Sequence, residues 1–305
     1  MKLTTEQVET FKRDGLLIAP GIISDADFAP VEAAYEAHID AKARALLAAG
    51  KITDLCEGEP FSKRIFSIFK QNNSIIAGLD LMEARLPAAF HFLRTPNLME
   101  AVECLIGPEI SCNPIQHIRA KMPSLDSMGL SGVVPWHQDV GVTWDEADHT
   151  EIVTCWIPMV DATRENGCME VIPGVNEAGY LLHQKEGGTM IMPELMPDLP
   201  VICAECPRGS VVFMSRFTPH RGLPNVSGDI VRWTMDLRYQ PTGEPSGRPF
   251  YPSFVTQSAA DPDSVLTDYD EWCRRWDAGL KAGEGQNWHR SRPRADLLKE
   301  LALNQ

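Results

Sequence analysis

The stretch Val134-Pro-Trp-His-Gln-Asp-Val-Gly-Val-Thr-Trp144 sets a histidine and a carboxylate two residues apart in a run of strand-forming Val, Trp and Thr. In an extended chain successive side chains point to opposite faces, so His137 and Asp139 are expected on one face and Gln138 on the other. A polar pair on the inner face of a sheet is costly unless something satisfies it. A metal ion would do so, and so would hydrogen-bond partners.

Around this stretch the texture is that of a β core. From about residue 110 onward, short runs rich in Val, Ile, Thr and Trp alternate with Gly, Pro and Asn: ISCNPIQHIRAKM, IVTCWIPMVDA, CMEVIPG, GSVVFMSRFTPHRG and IVRWTMDLRYQP. Such spacing predicts a sandwich or barrel. The first hundred residues read as helical. Thr4 and Gln7 have capping-box spacing, Gly15 stops that helix, and Leu16-Leu-Ile-Ala-Pro20 is a short strand. Ser24 caps a long alanine-rich helix that Gly50 ends, and a further helical region over 72–106 breaks near Pro87 and Pro96. After Pro241 comes a Pro/Gly-rich loop, then a terminal helix with Asp261 or Asp263 as its cap and Trp272 and Trp276 on one face. The expected architecture is mainly β with flanking helices, a single domain over 1–305. Residues 1–108 would be mainly helical, 109–240 the β core, and 241–305 a lid loop and terminal helix. Loops 52–70 and 241–255, with Phe61, Arg64, Phe66, Arg248, Phe250 and Tyr251, are candidate lids over its mouth.

Composition narrows the function. A formal net charge of −14 over 305 residues, without a basic cluster, argues against a nucleic-acid partner. No apolar run approaches the ~20 residues needed to cross a bilayer. MKLTTEQVETFKRDG has no secretory h-region, so a cytoplasmic location is the expectation. Of the 8 cysteines, only Cys203 and Cys206 form a C-x-x-C, without a second pair to complete a zinc site; reduced, structural thiols are expected.

A third candidate ligand, His220, ends the apolar strand after Ser210-Val-Val-Phe-Met214, in FMSRFTPHRGLPNVS. Two imidazoles and one carboxylate match the facial set of non-haem Fe(II) sites, which leaves three coordination positions open. Spacing alone is weak support, because H-x-D is common and a lone histidine in a β core is more often a hydrogen-bonded structural residue.

The wider pattern is more specific. WHQD, WIPMVDATRENGCMEVIPG, PHRGLPNVS and an arginine on the next strand occur in that order. Together, from TEQVETFKRDG to Tyr239, they resemble the phytanoyl-CoA dioxygenase family of Fe(II)/2-oxoglutarate-dependent oxygenases. The family's N-G…P-G turn appears as Asn166-Gly167 through Pro173-Gly174. The resemblance implies a double-stranded β-helix, or jelly roll, related to cupins. It implies His137, Asp139 and His220 as iron ligands, 2-oxoglutarate as cosubstrate and O2 as oxidant. It also implies an arginine anchor for the distal carboxylate of 2-oxoglutarate. Arg232 and Arg238 are six apart, so periodicity cannot choose between them; the family offset from the distal histidine favours Arg232. The alternative for Arg238 is an ion pair with Asp236 or another surface acid. His117 and Lys121 are candidate pocket residues or part of a solvated face. Trp156, another cosubstrate-pocket candidate, also reads as core packing.

The implied chemistry is oxidation of a C–H bond of a small-molecule metabolite or natural product, with hydroxylation as the default. A halogenase would lack the carboxylate that Asp139 supplies. A non-oxidative, cupin-type metal enzyme or a metal-binding module would not need the anchoring arginine or the N-G…P-G turn. Monomer and homodimer stay equally open.

Overall fold

The computed structural model describes residues 2–124, 133–175, 178–185 and 188–303. Six helices precede most of the sheet: α1 Thr5–Asp14, α2 Asp25–Ala48, α3 Phe61–Gln71, α4 Leu81–Ala84, α5 Pro87–Phe92 and α6 Pro96–Ile106. Local chemistry sets their ends. Thr4 Oγ1 accepts from the Gln7 amide at 3.2 Å while Gln7 Oε1 accepts from the Thr4 amide at 2.8 Å, closing the expected capping box. Ser24 caps α2 through the Asp27 amide, and Pro87 and Pro96 each open a new helix, where a missing N–H costs nothing.

The strands are β1 Leu16–Ala19, β2 Ile110–Cys112, β3 His117–Lys121, β4 Val134–His137, β5 Val153–Pro158, β6 Met169–Val171, β7 His183–Lys185, β8 Thr189–Ile191, β9 Ile202–Cys203, β10 Val211–Ser215, β11 His220–Gly222, β12 Arg232–Pro241 and β13 Phe254–Gln257. The larger sheet runs β1-β10-β5-β12-β2-β13, with β3 also paired to β12; the smaller runs β4-β11-β6-β9, and β7 pairs with β8. Every ladder between these strands is antiparallel. Helices α7 Tyr269–Ala282 and α8 Arg294–Leu303 follow.

The long strand β12 shows how this architecture separates core from site. Its odd positions Trp233, Met235, Leu237 and Tyr239 are fully buried in the main hydrophobic cluster with the helices. Its even positions Arg232, Thr234, Asp236 and Arg238 line one cavity on the opposite face. Period-2 alternation produces this division. A smaller cluster, with Trp156, Cys168, Met169, Val171 and Met214, joins the two sheets.

Several expectations need correction. ISCNPIQHIRAKM is two strands, because Pro114 has no N–H for a ladder and Asn113 Oδ1 accepts from the Ile115 amide at 2.9 Å to turn the chain. β4 ends at His137, and Asp139 opens a 3-10 turn, Asp139–Val142. A Cβ on Gly141 would lie 2.9 Å from His183 Nε2, so this turn presses against a neighbouring imidazole that only glycine clears. The C-terminal helix is capped by Asp268, whereas Asp261 opens a separate 3-10 turn. Trp272 and Trp276 are both buried on its inner face, as their spacing predicts. Residues 61–71 are helix α3, with Phe66 buried and Phe61 stacked on Trp233 at 4.7 Å. Arg248 is buried.

Candidate metal centre

His137 and His220 face each other across the β4–β11 ladder as direct register partners. Their rings lie 4.2 Å apart between centroids. Gln138 is extended, with φ −112° and ψ 144°, so Asp139 emerges on the same side as His137 even though the strand has ended. Gln138 itself points away: its side chain donates to the Gly179 and Phe217 carbonyls and accepts from the Leu181 amide. One ligand atom each from His137, Asp139 and His220 falls within 4.8 Å of the others.

The tautomers suit a metal. His137 Nδ1 donates to the Pro135 carbonyl and His220 Nδ1 to the Thr218 carbonyl, each at 2.9 Å, leaving both Nε2 lone pairs free. Burial, then the neighbouring His220, pushes His137 down to about 3, so its imidazole is neutral as ligation requires. Burial alone would raise the Asp139 carboxyl, but the Arg238 charge, with His220 and hydrogen bonds, overrides it and holds Asp139 well below the carboxylate range. Arg238 donates to Asp139 Oδ1 at 2.6 Å and to Oδ2 at 3.1 Å, and the Thr154 hydroxyl also donates to Oδ2. Oδ1 keeps a spare acceptor site, and it is the oxygen that lies 3.9 Å from His220 Nε2. Two imidazole nitrogens and an ionised carboxylate, with acceptor capacity turned inward, fit a divalent iron.

Arg238 is therefore spoken for. Its expected alternative, Asp236, approaches Arg238 NH1 at 3.4 Å without a hydrogen bond, and the dominant partner is the candidate ligand Asp139. Arg232 is different. It is buried on the same cavity wall, donates from NH1 to Thr234 Oγ1 at 3.0 Å, and lies over the Trp156 ring at 5.1 Å. Its Nε is buried without a partner, and among the described residues it forms no ion pair with a carboxylate. Burial pushes it down to about 10. Its cross-strand partner Lys121 donates Nζ to the Leu223 carbonyl and is pushed to about 7 by burial and by Arg232.

His117 lines the same cavity but donates Nδ1 to Asp80 at 2.7 Å, and burial holds its pKa low against that pull. Trp156 packs between the sheets, lies beneath Arg232 and lines the cavity. The N-G…P-G turn braces this wall. Asn166 Oδ1 accepts from the Thr163 amide and its amide nitrogen donates to the Asp161 carbonyl. Gly167, at φ +84°, lies where a Cβ would come within 2.6 Å of the Leu223 carbonyl.

Sequence reasoning missed Thr154, the Asp139–Arg238 pair, and His183, whose Nε2 accepts from the Gln138 amide at 3.0 Å. The even-numbered position of Thr154 on β5, shared with Trp156, is the one signal that would have found it. The cysteines separate differently from their spacing. Cys203 Sγ lies 3.2 Å from Cys168 Sγ, Cys206 is buried in the same small cluster, and all eight cysteines are free.

The cavity is about 640 Å³, within the range of small-molecule sites. Among the described residues, no helix is long and apolar enough to cross a membrane.

Comparison with known proteins bears on the same residues. Two solved structures share the fold. A non-heme monooxygenase, ThoJ, covers 98% of this chain and 100% of its own at TM-score 0.56 and 17% identity. The epimerase SnoN from nogalamycin biosynthesis covers 79% and 83% at TM-score 0.52 and 20% identity. The peroxisomal phytanoyl-CoA dioxygenase of Rattus norvegicus is 25% identical over 230 residues, 72% of this chain and 63% of that protein. The 1-deoxypentalenic acid 11-beta-hydroxylase of Streptomyces arenae is 28% identical over 163 residues, 50% of this chain and 56% of that one. The chain thus spans less than two thirds of the length of these last two relatives. The profile of the phytanoyl-CoA dioxygenase (PhyH) family matches residues 11–233, a span that holds His137, Asp139, His220 and Arg232 and stops short of Arg238. With that match over well more than half its length, the chain belongs to the phytanoyl-CoA dioxygenase family.

Proposed function

We propose that this protein is an Fe(II)- and 2-oxoglutarate-dependent dioxygenase that oxidises, by default hydroxylates, a C–H bond of a small molecule. The observation that carries the reading is the joint geometry. Three donor atoms lie within 4.8 Å, and a buried arginine with no acidic partner among the described residues stands on the same cavity wall. His137, Asp139 and His220 would hold the metal. With 2-oxoglutarate and O2, bound iron supplies oxidation in which one oxygen atom enters the product and the other enters succinate, with release of CO2.

The remaining work falls to the chain. Arg238 and the Thr154 hydroxyl keep Asp139 ionised and aimed. Arg232, with two donors in a fixed plane and a charge it never loses, anchors the far carboxylate of 2-oxoglutarate. Trp156 holds that guanidinium in plane by stacking, and Lys121 adds positive charge beside it. Apolar side chains such as Phe69, Ile76, Ile115 and Met169 line the wall and exclude water. A location in the cytoplasm and a single-domain organisation over 1–305 belong to the same reading.

The test is metal stoichiometry without O2 alongside succinate release. Wild type should bind one Fe(II) per chain and, with 2-oxoglutarate, develop a weak visible charge-transfer band, both lost in His220→Ala. Retention of stoichiometric iron and of the band in His220→Ala sinks the ligand assignment. Metal binding without any coupled succinate would favour the non-oxidative, cupin-type alternative.

A further inference from the structure

The cavity wall carries far more positive charge than its two proposed ligands use. Arg119, Lys121, Arg232, Arg238 and Arg248 line it, against the carboxylates of Asp139 and Asp236. Among the described residues that line it, five basic side chains against two acids leave a formal surplus of three, in a chain of net charge −14. If the proposed function holds, a divalent metal and a dianionic cosubstrate cancel each other, and the surplus faces whatever else enters.

Arg248 is the focus of that surplus. It is only 8% exposed. Nε donates to the Val142 carbonyl at 3.1 Å, and Trp288 lies against the guanidinium at 5.3 Å. Among the described residues, its two terminal nitrogens make no hydrogen bond and no acid forms an ion pair with Arg248. Burying a guanidinium without a counter-charge is expensive, and an anion paired with it offsets that cost. Its position is fixed in advance. Gly247, at φ +73°, lies where a Cβ would come 2.4 Å from Thr143 Cβ, and its carbonyl accepts from the Trp144 amide at 2.8 Å. Arg248 is thereby clamped to the segment that begins at Asp139. Arg119, exposed on β3, stands opposite Thr234 in the ladder and so faces the same cavity as Arg232 and Arg248. Arg248 also lies beyond residues 11–233, outside the span shared with the family.

We propose that Arg248, aided by Arg119, binds a carboxylate of the substrate, so that the molecule oxidised is an organic acid with a hydrocarbon body. The free edge of a guanidinium matches a planar carboxylate bidentately. Trp288 and the apolar side chains of Phe69, Ile76 and Ile115 offer surface for the hydrocarbon. The proposal rests on the oxygenase reading for the word substrate but not for the anion site.

Matched pairs of carboxylic acids and their primary amides, with linear and cyclic hydrocarbon bodies of graded size, are titrated into Fe(II)- and 2-oxoglutarate-saturated protein without O2. Binding is read by calorimetry and by tryptophan fluorescence. At least one acid should bind roughly tenfold or more tightly than its amide. Arg248→Gln should erase that preference and Arg248→Lys should keep part of it. A panel in which no acid outbinds its amide overturns the proposal, as does a preference that survives Arg248→Gln. An alkyl phosphate that outbinds the matched acid overturns the choice of carboxylate. If Arg248→Gln no longer binds 2-oxoglutarate, Arg248→Lys decides, and an undiminished preference there overturns the proposal. An acid preference that depends on Arg248 in a protein that never turns over 2-oxoglutarate would fail the oxygenase reading and leave the anion site standing.

Discussion

Arg232 and Arg238 share one strand, one face and one cavity, yet the structure treats them oppositely. Arg238 makes two hydrogen bonds to a buried carboxylate, and its pKa rises because, although burial pulls it down, the Asp139 charge outweighs that pull. Arg232 has a hydroxyl and an aromatic face but no acid, and burial lowers its pKa. A paired buried charge is scaffold; an unpaired one is a vacancy for a ligand's charge. The two arginines should therefore fail in different ways.

The largest effect expected is on stability. Arg238→Ala leaves Asp139 buried without its counter-charge, which typically costs on the order of 3–5 kcal/mol. Denaturant unfolding of the metal-free protein should show that loss for Arg238→Ala and little for Arg232→Met, which removes an uncompensated charge. Equal losses would erase the distinction between the two positions.

Ligand binding should show the reverse ranking. Arg232→Gln should weaken 2-oxoglutarate by roughly two to three decades, about 3–4 kcal/mol, measured by calorimetry on the anaerobic Fe(II) protein. If Arg238 variants that remain folded lose as much affinity and Arg232 variants do not, the anchor is Arg238.

A double-mutant cycle sharpens the scaffold half. Asp139→Ala alone strands Arg238, so it should destabilise the metal-free protein; a carboxylate that served only as a metal ligand would leave folding untouched. Asp139→Ala with Arg238→Met should recover about 1–3 kcal/mol relative to additivity while iron binding stays lost. Additive losses would mean that the pair contributes no coupling.

The smallest effect is a pH slope. His183 is fully buried and pushed down to about 4 by burial, and its unprotonated Nε2 accepts the Gln138 amide that orients the ligand segment. The unfolded chain binds this proton from about pH 6.5 downward while the folded chain does not, so stability falls as pH drops from about 6.5 towards 4. The contribution is about 1.4 kcal/mol per pH unit. Acid titration of unfolding in wild type and His183→Gln should show a shallower slope in the variant; parallel curves would remove His183 from the account.

Much of the fold could be read in advance where the determinants are local. Caps at Thr4 and Ser24, the positive-φ stop at Gly15 and the period-2 pattern of VRWTMDLRYQ all act within a few residues, and each places its element correctly. The readings that failed depend on contacts between distant segments. Periodicity extends a strand through Asp139, but the chain turns there into the 3-10 segment Asp139–Val142, whose Gly141 packs against the distant His183. Exposed-looking Phe66 and Arg248 are buried by segments far away in sequence.

For the site, residue type and order suggested His137, Asp139 and His220, because metal chemistry restricts which side chains serve, and the family resemblance strengthened that set and supplied the preference for Arg232. Alternation put Arg232 and Arg238 on one face and could go no further, since a period of 2 says nothing about what stands opposite. Only the fold, by bringing the turn at Asp139 against β12, decided which arginine is neutralised and which is left open. The same long-range packing clamps Arg248 beside the metal candidate, because a loop's position is set by the surfaces it meets.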